Sequence, residues 1–228
     1  MAQSVTTRGS RPAGASSEAA TTTTRALLVG GLVAGPLFIV AAMIQAFTRP
    51  GFDLTRHAIS MLSLGDLGWI QTTNFVATGL LAGAFAVGIR RALHPGRAGT
   101  WGPLLIGVYG AGMVTAGVFH TDPGLGFPSG APAGMPAVMS WHAIVHSIAF
   151  FVLFIALVSA CFVFVRRFVA LRERGWAAYC AATGLAIPVL IVLGSTRLTS
   201  TGVAFAVVGA VASGWIAAIA ARLLAEVV

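Results

Sequence analysis

The chain contains no lysine, only two cysteines and only six acidic residues. Charged residues make up 9% of it, against about 25% in an ordinary soluble domain. That shortage excludes a water-soluble globular protein, because too little polar surface exists to cover a core. So few cysteines exclude a disulfide framework. Cys161 and Cys180 both fall inside apolar runs and read as small buried hydrophobes. The formal charge of +8 would fit a nucleic-acid partner. All 14 basic residues are arginines, however, and they stand in short segments between apolar runs rather than in one patch. That distribution marks membrane topology, and no nucleic-acid partner is expected.

What the chain does have is apolar length. It is 57% hydrophobic, with a mean hydropathy of +0.90. Six runs, at 26–47, 70–89, 101–119, 141–165, 176–194 and 202–221, have 19 to 25 residues each and contain no Asp, Glu or Arg. About 20 apolar residues cross a hydrocarbon core of about 30 Å. With no water to bond the backbone, each run has to be a helix. The expected fold is therefore all-α, a polytopic bundle of six transmembrane helices over 26–228, with a short interfacial helix in the first outer connection. Residues 1–25, rich in Ser, Thr, Ala and Gly, read as a disordered cytoplasmic tail. The first run is longer than a signal-peptide core and reads as an uncleaved span.

Arginine sets the orientation. With the N-terminus inside, eleven arginines (8, 11, 25, 90, 91, 97, 166, 167, 172, 174 and 222) lie on the cytoplasmic side and three (49, 56 and 197) outside. The positive-inside rule then places both termini in the cytoplasm of a cell-membrane protein. Trp69, Trp101, Trp141 and Trp176 stand at the starts of runs, where interfacial anchors belong. Gly31 and Gly35, Gly79 and Gly83, and the glycines crowding the third run predict close helix packing. Gln45, Gln71, Asn74, Thr115 and Ser213 read as hydrogen-bonding groups between helices.

This topology gathers His57, His120, His142 and His146, with Asp53, Asp66 and Asp122, at the outer face. The densest stretch is 119–147. His142 and His146, at i and i+4, would project from one face of the fourth span, with His146 about 6 Å deeper. Asp53, His57 and Ser60 would share one face of the short interfacial helix. Two readings stay open, and a third, a small-solute transporter, is disfavoured because no acid lies deep in any run. In one, imidazoles and carboxylates tie the outer loops to the bundle or bind a lipid headgroup. In the other, His57, Asp122, His142 and His146 hold a metal, zinc being the fitting ion. Its bound water would then be a nucleophile at neutral pH, with His57, Ser60 and Asp122 as catalytic groups. The chain lacks the glutamate of the His-Glu-x-x-His metalloprotease pattern.

Several segments together resemble a known group. They are Arg56-His57-Ala58-Ile59-Ser60, Gly68-Trp69-Ile70-Gln71, Asn74-Phe75 and Ala77-Thr78-Gly79-Leu80. Gly117-Val118-Phe119, Thr121-Asp122-Pro123, Gly126, His142 and His146 follow. This set resembles the integral membrane family called domain of unknown function 998, over roughly residues 26–220. The resemblance implies a multi-pass membrane protein without an established reaction, whose polar positions match His57, Ser60, Asp122, His142 and His146. His120 lies outside the pattern. In residue types alone, the polar set is also similar to that of membrane hydrolases such as the alkaline ceramidases, with different helix number and spacing.

The sequence thus predicts a multi-pass membrane protein whose outer polar cluster is structural or binds a lipid headgroup or another amphipathic small molecule. The alternative is a metal-dependent hydrolase acting on such a substrate. Oligomeric state is not readable from the sequence.

Overall fold

The computed structural model describes residues 13–196 and 200–227. The first twelve residues of the expected tail, with Arg8 and Arg11, lie outside the described residues, as does Arg197. Six long helices appear among the described residues: α1 (Ala13–Thr48), α2 (Gly68–Leu93), α3 (Arg97–Val118), α4 (Trp141–Ala170), α5 (Arg174–Gly194) and α6 (Thr201–Glu226). All six are long and apolar enough to span a membrane. The chain is therefore an all-α polytopic bundle, as its composition requires.

One boundary differs from expectation. The part of the tail from 13 to 25 is helical and continuous with the first span. Its polar threonines are accommodated because Thr22, Thr23 and Thr24 turn their hydroxyls back to the carbonyls of Glu18, Ala19 and Ala20 at 2.8–3.0 Å. This back-bonding removes the need for outside partners. The helix has 36 residues, so at about 1.5 Å per residue it overshoots the bilayer.

Each helix packs on its neighbours in sequence, and α1 returns to α6, closing a ring. Glycines bring α2 and α3 together. A Cβ on Gly79 would lie 2.5 Å from the Gly110 carbonyl oxygen, and one on Gly110 would lie 2.7 Å from that of Gly79. Gly83, the other half of the expected pair, would meet nothing with a Cβ of its own, but its amide nitrogen would lie 3.2 Å from the Cβ on Gly110. The contact thus rests on glycines of both helices.

The ring has two unlike ends. At one, α4 runs into α5 through Leu171–Glu173 and the arginines collect; this is the arginine end. Its interior is filled by the fully buried side chains of Phe85, Ile89, Phe164, Trp215 and Ile219, with the Phe164 and Trp215 rings edge-on at 5.7 Å. Trp215 also donates to the Cys180 sulfur at 3.3 Å, and both cysteines are free and buried. At the other, the histidine end, the 49–67 and 119–140 connections fold over the bundle, and the interior beneath them is hollow.

Trp69, Trp101 and Trp141 are exposed near the starts of their helices. Trp176 instead stacks on Phe168 at 5.7 Å.

Candidate functional site

The roof of the histidine end is built from side chains that bond main-chain groups, mostly within their own connection, with His57 bonding across to the other. Asp53 and His57 close a single helical turn, the His57 amide donating to the Asp53 carbonyl at 2.8 Å. The Asp53 carboxylate accepts from the Thr55 amide at 2.8 Å and from its hydroxyl at 2.7 Å. Those two bonds, the hydroxyl's first, hold it below the usual carboxylate range. The 3-10 helix proper spans only Ile59–Ser63. Asp53, His57 and Ser60 therefore point three ways instead of sharing a face: outward, into the roof, and down into the hollow.

His57 is 2% exposed, and both of its ring nitrogens are occupied. The Asp53 amide donates to Nδ1 at 2.9 Å, so Nε2 carries the proton, which it donates to the Leu125 carbonyl at 3.1 Å. Phe127, 1% exposed, packs against the rings of Phe52 at 5.2 Å and His57 at 5.4 Å. Arg49 lies over the Phe127 ring at 5.1 Å. Its guanidinium donates to the carbonyls of Leu62 and Leu64. Burial pulls this guanidinium below its ordinary range, and the charge of Asp66 partly offsets the effect. One arginine and one imidazole thus lock the 119–140 connection onto the first.

Asp122 has a similar task. Its carboxylate accepts from the Ser140 amide at 2.8 Å, and the Ser140 hydroxyl accepts from the Ala143 amide at 3.2 Å. Together they satisfy orphan donors at the start of α4 and set negative charge at the positive end of its dipole.

His142 and His146 part company. His142 is exposed and lies against Trp141 at 3.8 Å and Phe119 at 5.6 Å. His146 is 8% exposed, and its Nδ1 lies 2.9 Å from the Phe119 carbonyl and 3.0 Å from that of Ala116. The reason is a difference in helix ends: α3 stops at Val118, so it covers α4 at the level of His146 and not one turn higher. His120 bonds the Thr72 hydroxyl at 3.0 Å, tying α3 to α2.

Beneath the roof lies a cavity of about 300 Å³. Its polar lining is Ser60, Tyr109, Thr121, His146, Ser147 and Ser213, and Phe150, Phe151, Phe154 and Phe205 line it beside them. Phe38 and Phe75 form a wall backed by amides, where Gln45 donates to Gln71 at 2.7 Å and Asn74 to the Phe38 carbonyl at 3.0 Å. These amides join α1 to α2, as expected of them. Phe151 lines the cavity yet is 57% exposed on the outside of α4, so the cavity reaches the lipid-facing surface there.

The chain matches the model of the family described as Protein of unknown function (DUF998) over residues 32–222. It belongs to that family. No curated protein and no solved structure matches it.

For this DUF998 protein, the structure brings Ser60 and His146 to one cavity and leaves His57, Asp122 and His142 elsewhere. Among the described residues no group of three His, Cys, Asp or Glu is placed to hold a metal ion. The zinc expectation therefore lacks a ligand set, because His57 and Asp122 are committed to main-chain partners and His142 faces outward. Sequence reasoning missed the aromatic mouth, since three phenylalanines in an apolar run look like any lipid-facing segment. It also missed Arg49 and Phe127 as roof residues. Arg49 counted there only as an orientation mark, although an arginine directly after a span and facing a Phe-Pro loop was a usable signal.

Proposed function

We propose that this protein binds a lipid-like or other amphipathic small molecule in the cavity beneath the histidine end, admitting it sideways from the bilayer. The observation that carries the reading is the mixed lining: an imidazole and hydroxyls at His146, Ser60, Thr121, Tyr109 and Ser213, phenyl rings from Phe150 to Phe205, and a mouth at Phe151. At about 1.5 Å per residue, His146 lies about 7.5 Å below the first residue of α4 and Phe151 about 15 Å below it. The second depth is half of a hydrocarbon core of about 30 Å. A headgroup would sit near the interface and its chain would leave at mid-bilayer. An ionisable side chain held at membrane depth is itself a mark of function. With the orientation that the arginines favour, the ligand would come from the outer leaflet. His57, Arg49 and Asp122 then act as positioning residues that keep the roof closed.

Gly209→Leu tests the reading. A Cβ at Gly209 would meet only Ile39 and Phe38, at 3.5 and 3.9 Å, so the longer side chain enters the cavity without striking the backbone. A photoactivatable long-chain amphipath is expected to label α4 and α6 peptides around the cavity in the wild type, and at least fivefold less in the filled variant, in line with pocket occupancy. Equal labelling of both would remove the cavity as the binding site.

A further inference from the structure

We infer that the head of the bound molecule is uncharged and donates a hydrogen bond, which makes the ligand class a lipid alcohol; this rests on the cavity-binding reading above. The argument begins with the proton on His146. Its Nδ1 faces two carbonyl oxygens, those of Ala116 and Phe119, and a carbonyl oxygen can only accept. Nδ1 must therefore carry the hydrogen, which in a neutral imidazole leaves a lone pair on Nε2. Nε2 has no hydrogen-bond partner among the described residues. His57 is the opposite case, with both nitrogens spent within the roof. Of the histidines, only His146 lines the cavity, and it offers an acceptor there.

The other polar groups fit the same head. Ser147 turns its hydroxyl back to the Ala143 carbonyl at 2.8 Å. Ser60, Thr121, Tyr109 and Ser213 have hydroxyls that can donate or accept. No Arg, Asp or Glu lines the cavity, and the chain has no lysine. A phosphate or carboxylate would enter a low-dielectric chamber without a counter-charge, which is costly. A quaternary ammonium head could lie against the phenyl rings, yet it has no proton to give and would leave Nε2 without a donor. A hydroxyl gives its proton to Nε2 and accepts in turn from Ser60 or Thr121. Specificity of this kind is strong, because a site built to bond a hydroxyl strands its own buried group when the hydroxyl is missing.

The test uses full-length protein in uncharged-lipid nanodiscs with two diazirine probes of equal chain length, a long-chain alcohol and its phosphate monoester. Wild-type protein is expected to be labelled around the cavity by the alcohol, with unlabelled alcohol competing and the phosphate ester not. His146→Asn keeps an N–H near the Nδ1 position for the two carbonyls and deletes the Nε2 acceptor. It should lower alcohol labelling about tenfold, the size of one hydrogen bond at a buried site, with its melting temperature close to wild type. Should that variant not fold, Ser60→Ala combined with Thr121→Val replaces it, with a several-fold loss expected. Undiminished alcohol labelling in the folded variant overturns the assignment of the head. So does labelling by the phosphate ester equal to or above that by the alcohol, which leaves cavity binding standing. Failure of both probes to label the cavity overturns the binding reading itself.

Discussion

At the arginine end the carboxylates of Glu173 and Glu226 are both spent on arginines: Arg167 meets Glu226 at 2.6 Å, and Arg222 meets Glu173 at 2.6 Å and Glu226 at 3.1 Å. Only Arg25 and Arg90 reach main-chain groups among the described bonds there, the carbonyls of Val227 at 2.7 Å and Gly99 at 3.0 Å. At the histidine end, His57, Arg49, Asp122 and His146 all reach for main-chain groups instead. The difference is one of what becomes fixed. Paired side chains can swing together and are screened by salt, so they hold helix ends near one another without setting loop shape. A side chain that bonds an amide or carbonyl prescribes where a loop runs. The arginine end is filled and needs only closing, whereas the histidine end must keep a hollow of defined outline.

The sharpest way to break this contrast is Gly202→Ala. A Cβ there would overlap the carbonyl oxygens of Leu54 and His57, where α6 begins against the roof, and neither is a flexible chain end. We expect a loss of roughly 4 kcal/mol or more, read as a much lower melting temperature in detergent, with cavity labelling abolished. A stability near wild type would mean that the roof is softer than its bonds imply. Next in size is Phe127→Ala, which empties the centre of the roof. Truncating a buried phenylalanine costs about 3–5 kcal/mol, and limited proteolysis should cut the 119–140 connection before the helices unfold. Cleavage elsewhere first would show that the connection is held by something other than Phe127. The smallest effect belongs to the arginine end. Glu226→Gln should cost about 0–1 kcal/mol, and the gap from wild type should shrink as salt rises. A salt-independent loss would assign these pairs a role closer to that of the roof.

The helices are legible in the amino-acid sequence because each follows from a single local demand. A run of about 20 apolar residues must satisfy its own backbone in lipid, and no distant contact can overrule that. The polar stretch 119–147 is legible as a site in part. His146 and Ser60 do meet at the cavity, whereas the i, i+4 spacing that pairs His142 with His146 says nothing of where α3 ends. The hollow cannot be read at all, since Phe150, Phe151 and Phe154 differ in no sequence feature from residues that face lipid.

The amino-acid sequence by itself determined the class of this protein, the number of its spans and the gathering of most arginines at one end, because water and lipid act on every residue independently. Only the tertiary structure decided which imidazole is spent on the roof and which keeps a free lone pair. That choice depends on which carbonyls and rings come within about 3–5 Å once six helices have closed their ring.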